Sequence, residues 1–544
     1  MTDTQEAGRL ARRSDRPAIR EFGTVFRVSV GISVAFCVAG VLFTEPFAEA
    51  LASLRGTVVS SAGWLYLLLT TVFLVFVLFL AFSRFGRIRL GGPEAKPQFG
   101  LFPWFAMLFQ AGMGVGLLFW GIAEPATHYR EPPPGLAAPG TPEAASVSLQ
   151  YSFFHWGLHP WAIYAVVGLA VAYFSFNRGM PSLRISGVLR PLLGDRVDGS
   201  IGKAVDVLGV IATLFGVAVS LGLGTIQIAA GLGEVFGLAN TIALQLIVIA
   251  LTAVAYMVSA STPLEKGINY LSQASIVLAA VLLVYFFVLG PTTLQLNFLT
   301  QELGGYVTNL VPMSLRTFPQ SSQEWLGDWT IFFWATWIAW APYVGAFIAR
   351  ISRGRTVREF VVGVLLAPTV FSIIWFSVLG SSAIDTDNKT GGAVGATAAE
   401  DEGLATFRFL QEYPGFTFTA ILVLFLVWIF FVAGADAGTV VLGSMSGAGL
   451  DPSRRSKLTW GVIMAAIAAI LLLVGGLDAL QDGAVLAAAP FGLLMLVICW
   501  SLYRALAKDP AVAQAGFAVN GKSRRAAAGS GDGRNGSGPG PTSR

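Results

Sequence analysis

Charge is what this chain has least of. Only 12% of its 544 residues are Asp, Glu, Lys or Arg, against about 25% in an average soluble domain. Cysteine is nearly absent as well: Cys37 and Cys499 each stand alone in an apolar run, which excludes a disulfide framework or a thiolate metal centre. The three histidines, His128, His155 and His159, lack the carboxylate spacing of metal or acid–base chemistry, and no nucleophile with a neighbouring base is visible, so an enzyme acting on an amphiphile is set aside. Each histidine reads as a polar residue at the outer water interface. The N-terminus carries arginines but no early apolar core or cleavage site, and so reads as a cytoplasmic tail and not as a signal peptide.

What is present is apolar length. With 55% hydrophobic residues, the chain contains runs of roughly 20 residues, enough to cross a bilayer, at 24–44, 62–83, 101–122, 150–176, 204–230, 240–259, 268–290, 328–350, 358–381, 416–446, 457–476 and 483–505. The expectation is an all-α integral membrane protein with about twelve transmembrane helices. Basic residues test the count, because short loops left in the cytoplasm keep Lys and Arg. With the N-terminus inside, the outer segments hold only Arg55, Arg130, Arg316, Lys389 and Arg408 of the 35 basic residues. An even number of spans with both termini cytoplasmic follows, in a multi-pass protein of the cell membrane. The net charge of +4 then reflects topology and not a nucleic-acid partner.

Four of the fourteen tryptophans, Trp329, Trp334, Trp337 and Trp340, fall within thirteen residues. Tryptophan in membrane proteins usually forms belts at the interfaces, whereas these run toward mid-membrane. An indole face attracts a cation that offers no hydrogen bonds, the usual means of holding a quaternary ammonium group. In the fourth run Trp156, Trp161 and Tyr164 are spaced to share about one helix face; alone they read equally as an interfacial belt, and together with the second cluster as a cage. In the third run Gly112, Met113, Gly114, Val115 and Gly116 place three glycines in five residues. Each interior glycine costs a helix about 1 kcal/mol relative to alanine. Local unwinding at a binding site and close small-residue packing both fit, with unwinding favoured; no strand precedes these glycines, so they are not a dinucleotide loop.

The stretch Gly112 to Pro125, the run His155 to Tyr164, and Asp328 through Pro342 to Thr356 resemble the betaine/carnitine/choline transporter family over about residues 20–505. The resemblance implies a LeuT-like fold of two inverted five-helix repeats. The N-terminal tail (1–23) is polar, a segment of mixed apolar and polar residues reads as an outer amphipathic connector (291–327), and a Gly/Ser/Pro-rich end reads as a disordered cytoplasmic tail (506–544). The chain divides further into two extra helices (24–100), a first repeat (101–290) and a second repeat (328–505). The resemblance also implies an aromatic box at Trp156, Trp161, Tyr164 and Trp337, with Trp340 on the substrate path and Gly112, Met113, Gly114 and Gly116 facing the substrate's polar end. Some proton-coupled choline carriers have aspartate where this chain has Gly116; glycine points to a zwitterion such as betaine. Trp329 and Trp334 read as scaffold, and Thr336 stands where many members have another tryptophan.

For ion coupling, the same resemblance places one sodium site near Ala111, Met113 and Phe430, with two hydroxyl positions that here are Ala433 and Gly434, and another at Thr213, Val217 and Tyr343. Three hydroxyls that would ligate a hard cation are therefore replaced. Asp436 is the candidate proton carrier, with a structural hydrogen-bond acceptor as its alternative; Glu124 reads as a local cap or pair. The expected function is secondary active import of a methylated osmolyte by alternating access: betaine first, with choline, carnitine or a sulfonium analogue as alternatives and exchange without net ion coupling as the rival mode. No cofactor is expected, the coupling ion stays open between sodium and proton, and the partners are the osmolyte, the bilayer and, by family resemblance, two further copies in a homotrimer.

Overall fold

The computed structural model describes residues 22–112, 114–180, 183–261, 265–321, 323–447, 449 and 451–511. These residues form helices joined by short loops, with a single isolated bridge between Arg89 and Thr356 as the only strand-like pairing among them. The helices that position the site are α1 (Thr24–Leu42), α2 (Thr44–Phe82), α3 (Leu101–Gly112), α4 (Val115–Arg130), α5 (Pro142–Trp156), α6 (Leu158–Arg178), α7 (Ser200–Phe236), α8 (Ile242–Ser261), α9 (Glu265–Leu289) and α10 (Thr292–Leu315). They continue with α11 (Phe332–Ile351), α12 (Val357–Lys389), α13 (Ala393–Glu400), α14 (Glu402–Leu410), α15 (Phe416–Ser446) and α16 (Arg454–Ala507).

Nine helices among the described residues are long and apolar enough to cross a membrane, or ten when α9 and α10, bent by 109° at their junction, count as one broken span. The difference from about twelve has local causes. The run 101–122 is divided between α3, ending at Gly112, and α4, starting at Val115, 12 and 16 residues long, each short of the roughly 20 residues needed. The runs 457–476 and 483–505 merge into α16, which turns at Gly475 and Gly476; the latter has φ 61° and ψ −131°, a backbone that a Cβ disfavours. The run 268–290 ends at the bend into α10.

Sequence explains the ends of the elements. Thr356 and Glu359 form a reciprocal capping box at the start of α12, which satisfies two donors that a helix N-terminus leaves free. α5 and α6 are one run of sequence broken at Gly157, where an added Cβ would meet the Phe153 carbonyl oxygen at 2.4 Å and the Tyr306 hydroxyl at 2.7 Å. The Tyr306 hydroxyl accepts from Leu158 N–H at 3.1 Å and so replaces a helical bond lost at the break.

α6 and α11 pack along each other at the centre, and α7 packs on α11, α15 and α16. Helix α10 turns its polar side inward: Gln150 Nε2 donates to Glu302 Oε2 at 2.6 Å and Gln295 Nε2 to Ser382 Oγ at 2.8 Å. Its Leu296, Leu303, Val307 and Val311 are exposed, one turn or two apart, the apolar face of a helix set against lipid. Both cysteines are unpaired.

Candidate functional site: an aromatic cavity beside a broken helix

The break between α3 and α4 and the break between α5 and α6 come together against α11. Gly114, with φ −123° and ψ −140°, is the N-cap of α4; Leu117 N–H donates to its carbonyl at 3.2 Å, and the amides of Val115 and Gly116 before it lie ahead of the first helical bond. Gly114 and Gly116 form one wall of a partly open cavity, about 380 Å³ of atom-free space when the open solvent at its mouth is included; Ser220 and Leu223 of α7 and Thr336 of α11 line it too. The rest of the lining is aromatic: Trp120, Trp156, Phe332, Phe333, Trp337 and Trp340.

These rings are held in place by their edges. Trp337 Nε1 donates to the His155 carbonyl oxygen at 2.9 Å, one of the last four carbonyls of α5, which the break leaves without helical partners. Trp340 Nε1 donates to the Gly216 carbonyl oxygen at 2.6 Å. Close approach requires glycine there, because a Cβ at 216 would lie 2.6 Å from Trp340 Cδ1. Trp156 Nε1 donates to Glu124 Oε2 at 2.8 Å. With their N–H groups occupied, the indoles of Trp156, Trp337 and Trp340 offer only π faces and edges to the cavity.

The sequence-proposed box is divided. Trp156 and Trp337 touch edge to face at 5.0 Å between centroids, and Tyr164 meets Trp337 at 6.2 Å and Trp161 at 5.5 Å. Trp156, Trp337, Trp340, Gly114 and Gly116 line the cavity, whereas Trp161 and Tyr164 are buried to about 1% exposure outside it, Tyr164 against Trp337 and Trp161 against Tyr164. Met113 lies outside the described residues, as do the side chains of Ala111 and Gly112. Trp329 packs on Trp120 at 5.4 Å, and Trp334 on His159 at 5.3 Å, behind the lining. Thr336 Oγ1 is buried without a hydrogen-bond partner.

Trp120, Phe332, Phe333 and Ser220 were not singled out from sequence. A signal existed for two of them. Trp120 follows Gly116 by four residues and Phe333 precedes Trp337 by four, each on the same helix face as its partner.

One sequence expectation is narrowed and another corrected. Of the two readings of Glu124, the structure bears out the pair and not the cap, and the three histidines do not face water: all four side chains are fully buried. Packing encloses them. Glu124 Oε1 accepts from His155 Nδ1 at 2.8 Å, His155 Nε2 meets Thr330 Oγ1 at 3.0 Å, and His159 Nε2 meets Ser314 Oγ at 3.0 Å.

The ion-coupling candidates lie apart. Thr213 Oγ1 donates to the Gly209 carbonyl oxygen of its own helix at 2.8 Å, and Val217 presents methyl groups toward Gly438. Tyr343 packs on Trp340 at 5.6 Å and faces Asp436, whose Oδ2 accepts from Ser259 Oγ at 3.2 Å. Phe430 is half-buried.

Multiple apolar helices around a cavity at two helix breaks define a multi-pass membrane transporter. Comparison with known proteins gives the family. A profile described as "BCCT, betaine/carnitine/choline family transporter" matches residues 24–511. The chain is similar to the glycine betaine transporter OpuD of Bacillus subtilis, at 46% identity over 90% of this chain and 96% of that protein. It is also similar to a probable glycine betaine transporter of Desulfitobacterium hafniense, at 42% over 89% and 98%. The ectoine/hydroxyectoine transporter of Virgibacillus pantothenticus is 39% identical over 89% and 96%. The chain belongs to the betaine/carnitine/choline transporter family.

Proposed function

We propose that the protein imports glycine betaine or a closely related methylated osmolyte by alternating access, holding its cationic head in the cavity between Trp156, Trp337 and Trp340. The observation that carries this reading is a cavity walled by indole faces with every indole N–H of those three residues already bonded. Such a wall offers a cation attraction without hydrogen-bond donors, worth about 0.5–2 kcal/mol per ring. It suits a trimethylammonium group and rejects a small, strongly hydrated cation. The negative end of a zwitterion finds the free amides at the start of α4 beside Gly114, where helix geometry favours anions.

The remaining architecture follows the same reading: two inverted repeats at 101–290 and 328–505 that rock about the cavity, both termini cytoplasmic by the distribution of Lys and Arg, and assembly as a homotrimer. A second mode, exchange of osmolytes without net ion coupling, is favoured by Val217, Ala433 and Gly434, which supply no side-chain oxygen for sodium.

Uptake of labelled betaine, choline, ectoine and a sulfonium analogue into proteoliposomes, with sodium and proton gradients imposed separately, tests both points. Saturable betaine accumulation supports import. Uptake that needs internal substrate and ignores both gradients establishes exchange, and no saturable betaine flux in either direction removes betaine as the substrate.

A further inference from the structure

Behind Trp156, away from the cavity, lies a group of ionisable side chains with no part in holding the substrate. Glu124 and His128, one turn apart on α4, meet His155 at the end of α5; one ligand-type atom from each lies within 4.8 Å of the others. All three are fully buried. Ionisable groups buried away from water are costly, and they cluster at functional sites.

The bonds assign protons. Glu124 uses one oxygen for Trp156 Nε1 and the other for His155 Nδ1, both at 2.8 Å, and His155 Nε2 pairs with the Thr330 hydroxyl. With Glu124 ionised, His155 is the neutral Nδ1–H tautomer and Thr330 donates to Nε2. His128 is left over: Nε2 is 3.6 Å from Glu124 Oε1, and neither of its ring nitrogens has a hydrogen-bond partner. Its ring is covered by Trp329 at 4.4 Å and by the partly exposed Trp325 at 5.1 Å.

We propose that Glu124, His155 and His128 form a proton-binding site that sets the cation affinity of the cavity through Trp156. An arriving proton binds His155 Nε2, which then donates to Thr330 Oγ1, while the Nδ1 proton passes to Glu124 Oε1. One proton has been added, the carboxylate has become a carboxylic acid, and His155 is again neutral. Two neutral partners suit a dry site better than a charged one. The Trp156 N–H, which had donated to an anion, now donates to a neutral carbonyl. A charge-assisted bond polarises its donor more strongly, so the ionised state leaves the indole face more negative and places a negative charge one ring from the bound cation. Affinity for the cation is therefore higher with the proton absent. By linkage the relation is reciprocal, and substrate binding expels the proton.

Neighbouring groups are accounted for. α5 also presents Tyr151, which Arg316 at the end of α10 faces, and α6 presents His159 toward His155. α12 brings Asp387, bound to Arg130 at 2.6 Å. From α7 and α14 come Gln227 and Thr406, directed at the Leu118 carbonyl; α13 contributes only Glu400, which is exposed, and Asp436 of α15 is bonded to Ser259. Asp328, beside Trp329, is paired with Arg55.

The inference rests on the cavity being the cation site, and its test separates the two. Infrared difference spectra of the full-length protein between about pH 8 and about pH 5, the range in which histidines and displaced carboxyls titrate, should show a protonated-carboxyl band that Glu124→Gln removes and Glu124→Asp retains. Betaine titrations by tryptophan fluorescence should show affinity falling about tenfold toward the acid end, one unit of linkage, and a flat, weak profile in Glu124→Gln. His128→Asn breaks no hydrogen bond, and its fold is checked by thermal unfolding; in the folded variant the midpoint of the band should move. Identical bands and identical pH profiles in wild type and Glu124→Gln would overturn the proton site, as would an unmoved midpoint in His128→Asn if the glutamine variant does not fold. If betaine leaves the fluorescence unchanged at every pH, the substrate reading fails and the infrared comparison alone decides the site.

Discussion

The indole of Trp156 meets that of Trp337 edge to face, with centroids 5.0 Å apart and planes at 74°. The first ends α5 and the second lies in the second turn of α11. Their contact exists because each N–H is held from behind, Trp156 by Glu124 and Trp337 by the carbonyl freed at the Gly157 break. Two helix breaks and one buried carboxylate thus fix the walls of the cavity.

Gly116 sits against that wall. A Cβ there would lie 3.0 Å from Trp156 Cη2, so the ring has to give by a few tenths of an ångström. Overpacking of this kind costs about 1–3 kcal/mol. Gly116→Ala should weaken betaine binding by about fivefold or more while leaving membrane expression unchanged, measured as the uptake KM in cells beside quantitative immunoblots.

Thr336 offers a hydroxyl that no protein group satisfies, on the cavity lining. A buried hydroxyl left alone costs about 1–3 kcal/mol, so it is poised for a polar atom of the substrate. Thr336→Val keeps the shape and removes the oxygen. Betaine KM should rise about five- to tenfold, matching a lost bond of about 1–1.5 kcal/mol, while the melting temperature stays level or rises. A fall in melting temperature with unchanged KM would make the hydroxyl structural.

Much of this site was legible in sequence, and the reasons are physical. Trp337 and Trp340 stand out because indoles at mid-membrane have no interfacial purpose, and Gly114 and Gly116 because glycine opposes a spanning helix. The Glu124 cluster was not legible. Glu124, His128 and His155 each lie near the end of an apolar run, where a polar residue ordinarily meets water, and only the packing of α5 against α4, under Trp325 and Trp329, buries them. Helix number was obscured in the same way: the division between α3 and α4 shortens one run and the turn at Gly475–Gly476 interrupts another without altering hydropathy.

Outside the membrane-spanning segments, burial first, and then Asp401, Asp478 and Asp328 nearby, push the Glu402 carboxyl up to about 7. A carboxyl raised in the fold binds its proton more tightly folded than unfolded. The fold therefore loses stability as pH rises from the ordinary glutamate range through about 7, and keeps it below. Glu402→Gln should raise the melting temperature by a few degrees at about pH 8 and change little at about pH 4, measured by thermal unfolding of the detergent-purified protein. A larger stabilisation at the acid end would reverse the assigned sign.

The most direct test of the aromatic cavity is calorimetric titration of purified wild type and Trp337→Ala with betaine at one pH. Wild type should bind saturably in the micromolar to millimolar range. Loss of the Trp337 face, at about 0.5–2 kcal/mol for the cation contact and more for the neighbouring rings it supports, should weaken binding about tenfold or beyond, with the protein still folded. An unchanged Kd in Trp337→Ala would contradict the cavity as the site of the cation.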